Sequence, residues 1–120
     1  MAHHYRDLAG AVAMSLAFDS VAVFDEKADC VKFAGRFIGA KGAERFAICR
    51  VSREFLTVLC DLTDASPERL LQAYVSVREE VNGIAARLFA AGELNPLIDL
   101  EHYLREYSRL NNALNAKKKK

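Results

Sequence analysis

The chain reads as an α+β domain: a small antiparallel β-meander of three to four strands, then a short helix, a long helix packed on the sheet and a C-terminal helix. Three observations predict this. Residues 21–51 hold short β-branched and aromatic runs separated by tight turns. Residues 66–91 open on Ser66-Pro67-Glu68 and then repeat apolar side chains in steps of three and four. With 120 residues and 52% hydrophobic content, the chain suits one core and leaves no room for a second.

The first strand spans residues 21–25 and ends in the polar turn Glu26-Lys27-Ala28-Asp29. Residues 30–38 alternate, with Val31, Phe33 and Phe37 on one side and Lys32 and Arg36 on the other. That period of two predicts one face on a core and a basic face in water. Gly35 interrupts the apolar set and marks a bulge or a close backbone approach. A second turn, Gly39-Ala40-Lys41-Gly42, leads to a strand over residues 44–51. There Phe46 and Ile48 alternate with Arg45, Ala47 and Cys49, and Phe46 is expected in the core with Phe33 and Phe37. Residues 16–18 add a short edge strand.

The second half is helical. Ser52 caps a short helix with Glu54 in its first turn and Phe55, Leu56, Leu59 and Leu62 along one stripe. Ser66 and Pro67 start a long helix expected to run to about Ala91, with Gly92 as its stop. Gly83 costs that helix about 1 kcal/mol against alanine, so a close neighbour is expected there. Asn95-Pro96 breaks the chain, Leu97-Ile98 is extended, and Asp99 caps a last helix carrying Tyr103, Leu104, Tyr107, Leu110 and Leu114. The expected organisation is a flexible extension over residues 1–14, one domain over 15–114 and a disordered lysine tail over 115–120.

Composition narrows the function classes. A net charge of +1 lacks the basic excess of a dedicated nucleic-acid binder. Cys30, Cys49 and Cys60 form no C-x-x-C or Cys/His pattern, so reduced thiols in a cytoplasmic protein are expected, with no structural metal. The apolar stretch over residues 8–17 is too short to cross a membrane and lacks the positive flank of a signal peptide. No phosphate loop, dinucleotide fingerprint, nucleophile elbow or H-E-x-x-H motif occurs, and no cofactor is expected.

Two groups of residues carry chemistry. Arg36, Lys41, Arg45, Arg50 and Arg53 fall within eighteen residues, opposed only by Glu44 inside that span and Glu54 directly after it. On one exposed sheet face they would attract an acidic protein or a nucleic acid. His102, close to Asp99 and Glu101, is the candidate titrating residue, since imidazole changes charge near neutral pH.

In order, the landmarks resemble a small bacterial family catalogued as domain of unknown function 1488. Residues 16–18, Val23-Phe24-Asp25 and Val31-Lys32-Phe33-Ala34-Gly35 are similar to its strands, and residues 46–59 to its second strand and short helix. Tyr74, Arg78 and Ala86-Arg87 resemble its long helix, and residues 98–103 its end, with His102 where the family pattern has an acidic residue. The resemblance implies a compact α+β fold and no activity or catalytic residues.

The expectation is therefore a non-enzymatic interaction or accessory domain that meets an unknown protein partner through the basic sheet face. The alternative is a nucleic-acid-binding regulator, and a small enzyme centred on His102 comes third. The exposed edges of a meander can also pair across a two-fold axis, giving a homodimer.

Overall fold

The computed structural model describes residues 15–118, and the expected N-terminal extension lies outside them. Three nine-residue strands, β1 (Ala17–Asp25), β2 (Cys30–Ile38) and β3 (Glu44–Ser52), form the antiparallel meander. Helices α1 (Arg53–Cys60), α2 (Pro67–Ser76) and α3 (Arg78–Ala90) follow. A two-residue strand β4 (Leu97–Ile98) and helices α4 (Leu100–Arg105) and α5 (Tyr107–Lys118) complete the chain. The sheet order is β1-β2-β3-β4, and β4 runs parallel to β3, pairing Leu97 with Arg50 and Ile98 with Val51.

Local chemistry sets the boundaries. The Asp25 carboxylate accepts from the backbone of Lys27 and Ala28, which folds the first turn, and Asp29 takes a left-handed φ of 56° to close it. Gly42 serves the second turn at φ 77°, a backbone state that costs glycine little. Ser52 caps α1 by accepting from Phe55 N at 3.1 Å, and Ser66 caps α2 by accepting from Arg69 N at 3.3 Å, with Pro67 at the first helical position. Gly92 ends α3 at φ 110°.

The helices cover one face of the sheet. Val31, Phe33, Ala47, Cys49 and Val51 point inward and join Phe55, Leu56, Leu70, Tyr74, Val81, Ile84 and Phe89 in one core. Ring contacts bind the layers: Phe33 to Tyr74 at 4.9 Å and Phe37 to Phe89 at 4.8 Å between centroids. Burying each such side chain contributes on the order of 1.5–3 kcal/mol.

Four expectations are corrected. The extended pieces at residues 16–18 and 21–25 belong to one strand, with an irregularity between Phe18 and Ala22 where β1 gains residues against β2. Gly35 sits opposite Phe18, and a Cβ there would lie 3.1 Å from Leu16 and 3.3 Å from Phe18, so glycine makes room for both. The long helix is divided at Val77, where the Ser76 hydroxyl donates to Ala73 O at 2.7 Å and Val77 N reaches both Ala73 O and Tyr74 O. The last helix likewise divides at Glu106, and α5 runs through Lys118. Finally, Phe46 and Ile48 lie on the outer face, and Ala47, Cys49 and Val51 fill the core in their place. A one-residue change of phase turns every side chain of a strand over.

Candidate interaction surface

Among the described residues, the sheet has a second face that no helix covers. Alternation places Val21 and Val23 of β1, Lys32, Ala34, Arg36 and Ile38 of β2, and Phe46, Ile48 and Arg50 of β3 on it. Leu97 joins them through its pairing with Arg50. Val21, Val23, Phe46 and Ile48 are between 43% and 69% exposed. Of the eleven large apolar side chains exposed among the described residues, six lie on this face: Val21, Val23, Ile38, Phe46, Ile48 and Leu97. Such concentration sets the face apart from a surface with scattered apolar residues. Where β1 departs from regular pairing, a shallow groove of about 310 Å³ opens between Val21, Val23, Ala34 and Ile48, with Asp19 and Lys32 at its rim.

Two of the three cations on this face, Lys32 and Arg36, are paired with carboxylates, and Arg50 is held by a backbone carbonyl. Lys32 Nζ lies 2.8 Å from Asp25 Oδ2, and this bond holds the Asp25 carboxyl below its ordinary range and raises the Lys32 ammonium. Arg36 Nε donates to Asp19 Oδ1 at 3.2 Å, and its Nη1 reaches Glu44 Oε2 at 3.4 Å. Arg50 Nη2 donates to the Asn95 carbonyl at 3.1 Å, while the Asn95 side chain accepts from Ile48 N at 3.0 Å. Asn95 thereby ties the segment before β4 to β3.

The five basic residues singled out in the sequence do not share one face. Only Arg36 and Arg50 stand on the outer face. Lys41 is exposed in the turn between β2 and β3. Arg45 pairs with Phe37 and so falls on the opposite side from Phe46. Arg53 opens α1 on the helical side. Its Nε donates to Asp29 Oδ1 at 2.7 Å, its Nη1 donates to the Ala65 carbonyl, and its guanidinium lies 5.6 Å from the Phe24 ring centre. Arg53 is a clamp between the first turn, α1 and the segment before α2.

His102 occupies the third position of α4 and completes a capping box with Asp99. Its Nδ1 accepts from Asp99 N at 3.1 Å and lies 3.0 Å from Asp99 Oδ1. The imidazole is mostly buried, and it lines neither the sheet groove nor the smaller cleft between α3 and α5. That cleft, about 190 Å³, is lined in part by an Arg87–Glu106 pair in which Arg87 Nη2 donates to both carboxylate oxygens, at 2.7 and 2.9 Å. Burial keeps two of the cysteines protonated, pushing the Cys49 thiol up to about 11 and raising the Cys30 thiol, while Cys60 is half-buried. Among the described residues no three metal-ligating side chains cluster, and no helix is long and apolar enough to cross a membrane.

Val21, Val23, Ala34 and Leu97 belong to no recognisable motif, and alternation over residues 44–51 sets Ile48 on the side of Phe46, where a core position is expected. One signal was present. Val21-Ala22-Val23-Phe24 and Phe46-Ala47-Ile48-Cys49 are apolar in both phases, the pattern of strands covered on both faces. Comparison of the chain with protein-family models, with curated proteins and with solved structures finds no match in any of the three.

Proposed function

We propose that the protein is a non-enzymatic interaction domain whose binding surface is the outer face of its sheet. One observation carries the reading: β1 and β3 carry apolar residues on both sides, yet among the described residues helices cover only one side. A sheet with both faces apolar is suited to a layer on each. The missing layer is then a partner, which meets Val21 and Val23 of β1 and Phe46 and Ile48 of β3, with the Asp25–Lys32 and Asp19–Arg36 pairs interleaved among them. The free thiols fit a reducing compartment such as the cytoplasm. Membership in the 1488 family rests on the sequence landmarks alone.

A second reading, a nucleic-acid-binding regulator, gains one observation, since exposed Phe46 offers a ring on which a base can stack. It stands second because the neighbouring cations Lys32 and Arg36 are engaged by carboxylates. An enzyme centred on His102 draws support from no groove at that residue.

The test is capture from the native extract, with and without nuclease, by the full chain and by its Ile48→Glu variant. The proposal expects a partner set that survives nuclease and is lost in the variant. Partners released by nuclease would move the second reading to first place. Partners kept by Ile48→Glu would place the binding surface elsewhere.

A further inference from the structure

We infer that the exposed side of α5, with the lysine run at residues 117–120, binds double-stranded DNA. This surface is separate from the outer face of the sheet, because α5 packs on the helical core through Leu110. It stands whether or not the outer face meets a protein.

Charge is unevenly distributed along the chain. Residues 102–120 hold six lysines and arginines and one acidic residue, a net of +5. The preceding 101 residues hold eleven and fifteen, a net of −4. The near-neutral total of +1 thus conceals a strongly basic end. Attraction to phosphate follows local charge density, which the total hides.

The helix sorts its side chains. Leu110 is buried and Leu114 packs against the core. On the other side Ser108, Arg109, Asn112, Asn115 and Ala116 are exposed, at the three- and four-residue spacing of one helical stripe. Every other helix has a glutamate in its first turn: Glu54 in α1, Glu68 in α2, Glu79 and Glu80 in α3, Glu101 in α4. Helix α5 holds no carboxylate anywhere in its sequence. Lysines at a helix C-terminus complement its dipole, but that effect ends within the last turn. It does not account for Arg109, more than two turns earlier.

Arg109 is available to a ligand. Its side chain is 66% exposed, and its one ion-pair contact among the described residues is Nε at 3.7 Å from Glu106 Oε1. Glu106 gives both oxygens to Arg87 Nη2 at 2.7 and 2.9 Å. A long surface contact of that kind is readily exchanged for a phosphate.

Shape selects the duplex. An α-helix is about 10–12 Å across, and the major groove of B-DNA, about 12 Å wide, admits it. The deep, narrow major groove of an A-form duplex does not. Amides such as Asn112 and Asn115 donate to and accept from base edges, while Arg109 and the lysines pair with phosphates. An anionic membrane suits the stripe less, because it offers no large apolar anchor.

Fluorescence anisotropy of a labelled mixed-sequence DNA duplex, about 24 base pairs long to expose two groove turns, tests this with the full chain. At about 50 mM salt, binding should saturate in a range of about 1–100 µM. Affinity should fall with salt at a log–log slope of about −4, as five cations at about 0.9 each require. Arg109→Gln should flatten that slope by about one and weaken binding several-fold. Asn112→Ala/Asn115→Ala removes no charge, so it should keep the slope while weakening binding about ten-fold. All three positions are exposed, so circular dichroism and melting should match wild type. Ile48→Glu should bind DNA as wild type does. Absence of binding up to about 100 µM protein overturns the inference. Wild-type affinity in both α5 variants overturns the role of the helix, since the lysine run alone would then account for binding. Duplex RNA of the same sequence, or anionic lipid vesicles, bound as tightly as the DNA would overturn the choice of ligand. Loss of DNA binding in Ile48→Glu at unchanged stability would move the site to the sheet and overturn it equally.

Discussion

Arg36 and Asp19 meet across β2 and β1 on the outer face, with Nε 3.2 Å from Oδ1 and both side chains about two-fifths exposed. Arg36 of the basic cluster thus belongs to a solvent-exposed ion pair, and pairs of that kind contribute about 0–1 kcal/mol. Arg53 differs, since it bonds Asp29 and the Ala65 carbonyl and stacks on Phe24. Urea melts should show Arg36→Ala within about 1 kcal/mol of wild type and Arg53→Ala lower by about 1.5–3 kcal/mol. Equal losses would contradict this division of roles.

His102 is bound to its own helix start. His102→Ala should cost about 1 kcal/mol of stability through loss of the capping box. His102→Gln, which supplies the acceptor usual at that position, should retain most of it. Neither change should alter partner capture, and a loss of capture in His102→Gln at unchanged stability would assign the imidazole a direct role.

Gly83 lies within α3 with only the Arg87 guanidinium near its missing Cβ, at 3.6 Å, so the close neighbour expected from the sequence is absent. Gly83→Ala should therefore stabilise the fold by about 1 kcal/mol, a rise of about 4 °C in melting temperature. A destabilised variant would mean that α3 needs glycine for another reason.

Alkaline unfolding should be steep. Burial raises the Cys49 thiol from 9.0 to about 11 and the Tyr74 phenol from 10.0 to about 12, since both are held neutral in the core. Their contribution is fully present below about pH 9 and is lost as pH rises through 11 and 12, because the unfolded chain ionises first. Denaturant titrations from pH 8 to 11 should show falling stability, with a shallower fall in Cys49→Ala. A pH-independent midpoint would contradict the burial of both groups.

The sequence carried the elements better than their faces. Ser52, Ser66, Pro67, Gly42 and Gly92 mark boundaries because each has one backbone task, and each stands at the boundary it announced. The division at Val77 was hidden, because Val77 continues the apolar stripe and is itself buried, while the break comes from the Ser76 hydroxyl. The orientation of β3 was hidden for a different reason. Phe46-Ala47-Ile48-Cys49 is apolar in both phases, so bulk favoured Phe46 and Ile48 for the core. Register with β2 decides otherwise: Phe46 stands opposite Arg36, and Cys49 opposite Phe33. The same ambiguity concealed the candidate surface. A cluster of arginines in sequence became a dispersed set in space, because alternate strand residues and a helix start point to different sides.

Hydroxyl-radical footprinting of Phe46, in intact cells and in dilute purified chain, tests the outer face most directly. Phe46 and Tyr107 are almost equally exposed in the isolated chain, at 56% and 55%. The account predicts that oxidation of Phe46 falls several-fold in cells relative to dilute protein, while Tyr107 is labelled alike in both. Phe46 labelled as readily in cells as in dilute solution would contradict a partner on the outer face of the sheet.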